Sequence, residues 1–130
     1  MEFKHRDLTD KIINAFYEVY NTLGYGFLEK VYENALAHEL RKRGFKVVQQ
    51  APIHVNYDGV IVGEYYADLV VNDAVILELK SVEAILDDHK AQLLNYLKAT
   101  DIDVGLALNF GPRPQISRKV FEIARHPRSH

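Results

Sequence analysis

Two short apolar runs, separated by a stretch with helical periodicity, constrain the fold of this chain more than any other feature. The first covers residues 74–80 (AVILELK) and the second residues 103–110 (DVGLALNF). Neither run alternates polar and apolar residues, so both predict strands that are covered on two faces. Strands that are joined through a helix are expected to be parallel neighbours. The sequence therefore predicts a central sheet flanked by helices.

The rest of the chain supplies further elements around these two strands. Apolar residues at helical spacing predict helices over residues 8–23 and 28–43, which end at Gly24 and Gly44. Residues 45–57 and 60–71 predict strands joined by an Asp58-Gly59 hairpin turn, and Pro52 marks a bulge or a sheet edge. A third helix is expected over residues 82–100, and a last strand or short helix over residues 116–123. The predicted order is α-α-β-β-β-α-β-(β), an α/β (α+β) fold with a mixed sheet in one domain, residues 1–130.

Composition excludes several classes of protein. The chain has no cysteine, which excludes disulfides and thiolate metal sites. No apolar run approaches the roughly 20 residues of a membrane span, and the charged N-terminus lacks the apolar core of a signal peptide. We therefore expect a cytoplasmic protein that does not enter the membrane. A net charge of −2 argues against an electrostatic wrapper of long nucleic acid, but not against an enzyme that contacts a few phosphates.

Charged side chains interrupt the apolar strands near their ends. Glu78 and Lys80 lie on the same face at the carboxyl end of the strand over residues 74–80, where sites in α/β sheets tend to open. The preceding strand carries Asp68, a poor strand former. A three-residue turn places Asp68 opposite Glu78, whereas a two-residue turn places it opposite Leu77. Adjacent carboxylates repel unless they share a proton or a cation, so a cation site competes with a purely structural ion-pair network.

The second and third helices add polar candidates. Glu29 falls inside the apolar arc of the helix over residues 28–43, and Glu33 falls at the margin of that arc. A carboxylate in a core-facing stripe needs a structural Arg or Lys or a shared cation, and the two explanations stay open. In the third helix, Gln92 precedes Tyr96 by one turn.

These motifs together resemble the PD-(D/E)XK nuclease superfamily. Asp68, nine intervening residues and Glu78-Leu79-Lys80 are similar to its acid and Glu-x-Lys signature. The stretch 26–32 (GFLEKVY) resembles the motif of the GxxExxY family, a branch of those nucleases. Gln92-x-x-x-Tyr96 is similar to the Gln-x-x-x-Tyr element of RecB-like exonucleases. The resemblance extends from about residue 8 to residue 120.

The resemblance implies a restriction-endonuclease-like fold and metal-dependent hydrolysis of a phosphodiester in DNA or RNA. It implies Mg²⁺ or Mn²⁺ held by Asp68, Glu78, the backbone carbonyl of Leu79, and Glu29 directly or through water. Lys80 is expected to orient the attacking water, lower the pKa of that water or neutralise charge that builds on phosphorus. Gln92 and Tyr96 are expected to position the nucleophile or the strand, which completes a catalytic set with Glu29, Asp68, Glu78 and Lys80.

Two alternatives remain beside this nuclease hypothesis. The first is a catalytically silent binding module that uses a nuclease fold to bind nucleic acid or protein. The second is a structural ion-pair network, in which Lys80 neutralises Glu78 and Asp68 and an Arg neutralises Glu29. A homodimer is also kept open, because so small a nuclease often gains a substrate channel by pairing.

Overall fold

A computed structural model of the protein describes residues 5–121. It contains three helices and five strands in the predicted order. Their bounds are α1 Arg6–Leu23, α2 Glu29–Lys42, β1 Val47–Tyr57, β2 Val60–Val71, β3 Val75–Lys80, α3 Asp87–Lys98, β4 Val104–Asn109 and β5 Gln115–Val120. The last element is thus a strand rather than a short helix, and residues 122 and 123 of its predicted range lie outside the described residues.

The five strands form one mixed sheet in the order β1-β2-β3-β4-β5. Strands β3 and β4 are parallel neighbours, as the connection through a helix predicts, and the other neighbouring pairs are antiparallel. Pro52 lies in β1, which is an edge strand and tolerates a residue without an N–H donor. The Asp58-Gly59 turn has positive φ at both residues, as a two-residue hairpin of this kind requires.

The two faces of the sheet carry separate apolar cores. Helices α1 and α2 pack on one face, where Phe16, Tyr32 and Phe110 form a buried aromatic cluster with ring centroids of Tyr32 and Phe110 4.5 Å apart. Helix α3 packs on the other face, where Leu93 and Leu97 cover Ile76 of β3. Coverage on both faces explains why β3 and β4 are apolar almost throughout. No helix in the described part of the chain is long and apolar enough to cross a membrane.

The third helix begins later than predicted, at Asp87 instead of residue 82. Residues 81–86 form an irregular connection with bends at residues 82–84, which we call the β3–α3 strap. Side chains of β4 and β5 hold it: Asn109 accepts from the backbone N–H of Val82 at 3.0 Å and donates to its carbonyl at 2.8 Å, and Gln115 accepts from the N–H of Ile85 at 2.9 Å. These long-range hydrogen bonds replace the helical ones that the local sequence favours, so the prediction for residues 82–86 was wrong.

Candidate active site

The acids of β2 and β3 lie side by side at the end of the sheet. The turn between these strands has three residues, because Val71 pairs with Val75. Continuing this register one residue beyond the last pair, Leu69–Leu77, brings Asp68 across from Glu78. The carboxylate of Asp68 accepts the backbone N–H of Leu79 at 2.7 Å, and that of Glu78 accepts the N–H of Asp68 at 3.1 Å. Each acid thus hydrogen-bonds to backbone of the neighbouring strand, which fixes the pair to the sheet.

Burial raises the pKa of both acids, and a neighbouring acid adds to the effect: Asp68 for Glu78, and Glu33 for Asp68. Glu78 is only 5% exposed, and burial, together with the nearby charge of Asp68, raises its pKa to about 8. Burial also raises the pKa of Asp68, against the opposing effect of the hydrogen bonds from Leu79 and Gln50. Perturbed carboxyl groups that cluster at the end of a sheet are characteristic of functional sites.

Lys80 lies two residues beyond Glu78 on the same strand. Its side chain is half-buried, and its positive charge lowers the pKa of both Asp68 and Glu78 without overcoming the effect of burial. Within residues 5–121, the ammonium group makes no ion pair within 4.0 Å, so the simple Lys80–carboxylate salt bridge is not formed. The lysine therefore lies within electrostatic reach of the acids while its donors remain available.

The stretch 26–32 positions α2 at the same end of the sheet. Gly26 has φ +119°, a conformation that favours glycine, and the helix begins three residues later at Glu29. Tyr32 is fully buried, and its hydroxyl accepts the N–H of Phe27 at 3.1 Å and donates to the carbonyl of Gly24 at 2.7 Å. The motif's glycine and tyrosine thus shape the loop that leads into the first turn of α2, where Glu29 lies.

Glu29 reaches the site, but it is not the buried acid of α2. It is exposed, and its carboxylate accepts the N–H of Ser81, just beyond β3, at 3.3 Å. Glu33, one turn later, is only 4% exposed. The prediction that Glu29 lies in the core-facing stripe was wrong. The first turn of α2 lies beside Ser81, beyond the end of β3, and is left exposed there. The preceding residue, Leu28, is likewise 80% exposed. A spacing of four residues still directs Glu29 and Glu33 into one cavity.

Gln50 joins Glu33 to Asp68, a contact that the sequence did not predict. Its side-chain nitrogen donates to Glu33 at 2.8 Å and to Asp68 at 3.3 Å. Its backbone has φ 51°, a left-handed conformation that is uncommon for a residue other than glycine within a strand. The resulting cavity has a volume of about 330 Å³ and is lined by Glu29, Lys30, Glu33, Gln50, Asp68 and Leu79.

Gln92 and Tyr96 hydrogen-bond to each other on α3, the other side of the sheet. The amide nitrogen of Gln92 donates to the hydroxyl of Tyr96 at 3.0 Å. Tyr96 is 5% exposed, and burial together with the charges of Glu78 and Asp68 raises its pKa to about 12. The tyrosine therefore keeps its proton at neutral pH and lies within electrostatic reach of both acids. Asp68, Glu78 and Lys80 lie together at one end of the sheet, and Glu29 reaches the same end through the N–H of Ser81. Gln92 is connected to this group only through its hydrogen bond to Tyr96.

Asp68 and Glu78 have the oxygen ligands that a divalent cation prefers, but the described residues do not form a complete set of protein ligands around one point. Among residues 5–121, no three histidine, aspartate or glutamate side chains are arranged so that they could hold a metal ion. Mg²⁺ is usually bound by one or two carboxylates, with water and substrate phosphate as its other ligands, so three side chains are not required. Asp68 and Glu78 supply two hard oxygen donors, and the second oxygen of Glu78 makes no hydrogen bond to the described residues. A cation between these acids would relieve their repulsion.

Asn109 anchors the chain immediately after Lys80 and was missed as a candidate. It is fully buried, pairs with Lys80 in the parallel register of β3 and β4, and holds the strap through Val82. Gly111 completes the packing, since a Cβ there would lie 1.8 Å from the carbonyl oxygen of Val82. An amide at the end of an otherwise apolar strand was the signal that could have identified Asn109.

The fold and this site define the class of the protein: a restriction-endonuclease-like domain with an acid on one strand and Glu-x-Lys on the next. The family model for the PD-(D/E)XK nuclease superfamily matches residues 6–120, and the chain belongs to that superfamily. A search of curated protein sequences gives no match.

A solved structure shares the fold. The solved structure titled "Crystal structure of SSO0001" is similar to this chain, with a TM-score of 0.54 and 18% sequence identity. The similarity covers 94% of this chain and 63% of the other chain. The matched region thus spans less than two thirds of the other protein's length. At this identity, the comparison supports the fold alone.

Proposed function

We propose that the protein is a nuclease that hydrolyses phosphodiester bonds of DNA or RNA with Mg²⁺ or Mn²⁺ as its cofactor. The observation that carries this proposal is the arrangement of Asp68 opposite Glu78, with Lys80 within electrostatic reach of both. A scaffold gains no stability from a buried acid that must keep a proton at neutral pH beside a second acid, whereas a cation-dependent site uses both as carboxylates. Membership of a nuclease superfamily supports the same function.

Each residue has a role in this proposal. Asp68, Glu78 and the carbonyl of Leu79 would hold the cation, with Glu29 as a further ligand directly or through water. When bound, the cation would supply Lewis-acid stabilisation of the phosphoryl oxygens. Lys80 would orient the attacking water and neutralise charge that develops at phosphorus. Gln92 and Tyr96, which are already hydrogen-bonded to each other, would position the nucleophile or the substrate strand.

A cleavage assay with matched variants tests the proposal. Labelled single-stranded and double-stranded DNA and RNA and a cyclic oligonucleotide are incubated with the protein and Mg²⁺ or Mn²⁺. We expect Asp68→Asn and Lys80→Ala to lose the metal-dependent cleavage. The controls are Asp73→Asn and Lys46→Ala, because these residues form an exposed 2.8 Å ion pair at the other end of the β2–β3 hairpin. Absence of cleavage of every substrate by the wild-type protein would refute the proposal.

Metal binding separates hydrolysis from the alternatives. Calorimetry with Mn²⁺ should give binding that Asp68→Asn weakens, and EDTA should lower the melting temperature of Mn²⁺-loaded protein. No carboxylate-dependent binding would favour the structural ion-pair network. Binding of nucleic acid without turnover under all metal conditions would favour the catalytically silent module.

We also propose the finer assignments that accompany this function. The hydrogen bonds of Tyr32 and the positive φ of Gly26 give the stretch 26–32 a structural role, which supports membership of the GxxExxY branch. A single domain over residues 1–130 and a cytoplasmic location remain proposals that follow from the sequence. A homodimer would extend the substrate channel, and sedimentation of the protein with and without nucleic acid tests it.

A further inference from the structure

A second cavity, of about 420 Å³, lies between β2 and α3 and has no function in the catalytic proposal except through its shared residues Gln92 and Tyr96. We call it the Tyr65 pocket. Its polar and aromatic lining residues are Tyr65, Asp88, His89, Gln92, Asn95 and Tyr96. One lining residue, Tyr96, lies within electrostatic range of Asp68 and Glu78, although neither acid lines the pocket.

One wall of the Tyr65 pocket is the ring of Tyr65, which packs against the ring of Tyr96. The ring centroids of Tyr65 and Tyr96 are 5.6 Å apart with an interplanar angle of 43°. A Cβ at Gly63 would lie 3.4 Å from the Tyr65 ring, so this ring is also supported by the strand backbone on its own side. Tyr65 is nevertheless 45% exposed, which leaves ring surface open for a flat ligand.

The rest of the lining offers unpaired hydrogen-bonding groups. The Nδ1 atom of His89 accepts the N–H of Leu86 at 3.0 Å, so the neutral imidazole carries its proton on Nε2. Gln92 uses its nitrogen to bind Tyr96 and keeps its carbonyl oxygen as an acceptor. The side chains of Asp88 and Asn95 make no hydrogen bond to any residue in the described range 5–121. The described lining contains no Lys or Arg, so a phosphate is not the group that this pocket fits.

We propose that the Tyr65 pocket binds an unpaired nucleobase of the strand that is cleaved. A nucleobase has a flat face for Tyr65 and an edge of donors and acceptors for the amide, carboxylate and imidazole groups. A base can enter only after leaving the duplex stack, so the pocket selects single-stranded substrates or unpaired ends. This inference rests on the proposed nucleic-acid substrate, but it does not require hydrolysis.

Binding without metal tests the pocket independently of cleavage. Anisotropy of labelled single-stranded DNA and RNA is measured in EDTA with Tyr65→Ala, Tyr65→Phe and Tyr66→Ala. We expect about tenfold weaker binding for Tyr65→Ala, because stacking on an aromatic ring is lost, and near-wild-type binding for Tyr65→Phe. Tyr66 is the matched control: it is 50% exposed, bonds to Glu64 and does not line the pocket. Equal binding by Tyr65→Ala and the wild type would overturn the inference.

Ligand variants identify what occupies the pocket. An abasic oligonucleotide should bind more weakly than its parent, and a duplex of the same sequence should be insensitive to Tyr65→Ala. The pocket would not bind a base of a nucleic-acid strand if Tyr65 contributes to the binding of nucleoside monophosphates but oligonucleotides bind no more tightly than these. The same conclusion would follow if an arginine peptide competes for the pocket and oligonucleotides do not. If oligonucleotides bind through Tyr65 but are never cleaved, the pocket stands and the hydrolysis proposal fails. If Tyr65→Ala binds and cleaves like the wild type, the pocket fails and hydrolysis stands.

Discussion

Replacing Glu78 with glutamine should stabilise the metal-free protein at alkaline pH. The carboxyl group of Glu78 is 5% exposed, and its pKa is raised from 4.5 to about 8, chiefly by burial and then by the charge of Asp68. Between these two pH values the folded protein holds a proton that the unfolded chain has released. Stability therefore falls as pH rises through this window and is unaffected by Glu78 below it. Glu78→Gln keeps the shape and the acceptor oxygen for the N–H of Asp68 but removes the charge.

The magnitude follows from the pKa. A rise from 4.5 to about 8, at about 1.4 kcal/mol for each tenfold change in proton affinity, corresponds to an upper value of roughly 5 kcal/mol in the free energy of unfolding. Water that enters the open end of the sheet reduces this figure, so we expect a relative stabilisation of about 2–5 kcal/mol at pH 9. For a domain of this size, that corresponds to a rise of roughly 6–20 °C in Tm.

Thermal and urea unfolding of the wild type and Glu78→Gln at pH 5 and pH 9, in EDTA, isolate this effect. At pH 5, just above the unfolded pKa of 4.5, the variant and the wild type should differ by less than about 1 kcal/mol, whereas at pH 9 the full difference should be present. Glu83→Gln is the matched control, because Glu83 is an exposed carboxylate on the nearby strap. The reasoning is refuted if the stability difference between Glu78→Gln and the wild type is the same at both pH values.

Two further predictions concern packing and the bridge between the acids. Gly111→Ala should lower the free energy of unfolding in urea by more than about 2 kcal/mol, because its Cβ would lie 1.8 Å from the carbonyl oxygen of Val82. Gly63→Ala is the control: its Cβ would come no closer than 3.4 Å to another atom, so stability should change far less. Gln50→Met removes the donor that joins Glu33 to Asp68, so Mn²⁺ affinity in calorimetry should fall several-fold; an unchanged affinity would show that the bridge does not position Asp68.

The sheet could be predicted because its signals are local or periodic. The apolar runs of β3 and β4 require cover on both faces, and the connection through a helix made them parallel neighbours. The pairing of Asp68 with Glu78 depended on the length of one turn, and the sequence left two choices open. The three-residue turn resolved that choice in favour of adjacent acids.

The errors arose where distant side chains decide local structure. Asn109 and Gln115 bind the backbone of residues 81–86 and prevent the helix that the local sequence favours. Glu29 and Glu33 lie one helical turn apart in α2. Glu33 is buried, whereas Glu29 lies beside Ser81, beyond the end of β3, and is exposed, and the sequence of α2 does not reveal this difference. Gln50 owes its position to a left-handed backbone conformation, which no periodic pattern predicts.

Anomalous diffraction from crystals soaked in Mn²⁺ tests the central claim most directly. The proposed site predicts a Mn²⁺ peak bonded to the carboxylates of Asp68 and Glu78 and to the carbonyl oxygen of Leu79, and Asp68→Asn should weaken or remove it. A well-ordered site without a peak at saturating Mn²⁺, or a peak that persists unchanged in Asp68→Asn, would contradict the assignment of these acids as the cation site.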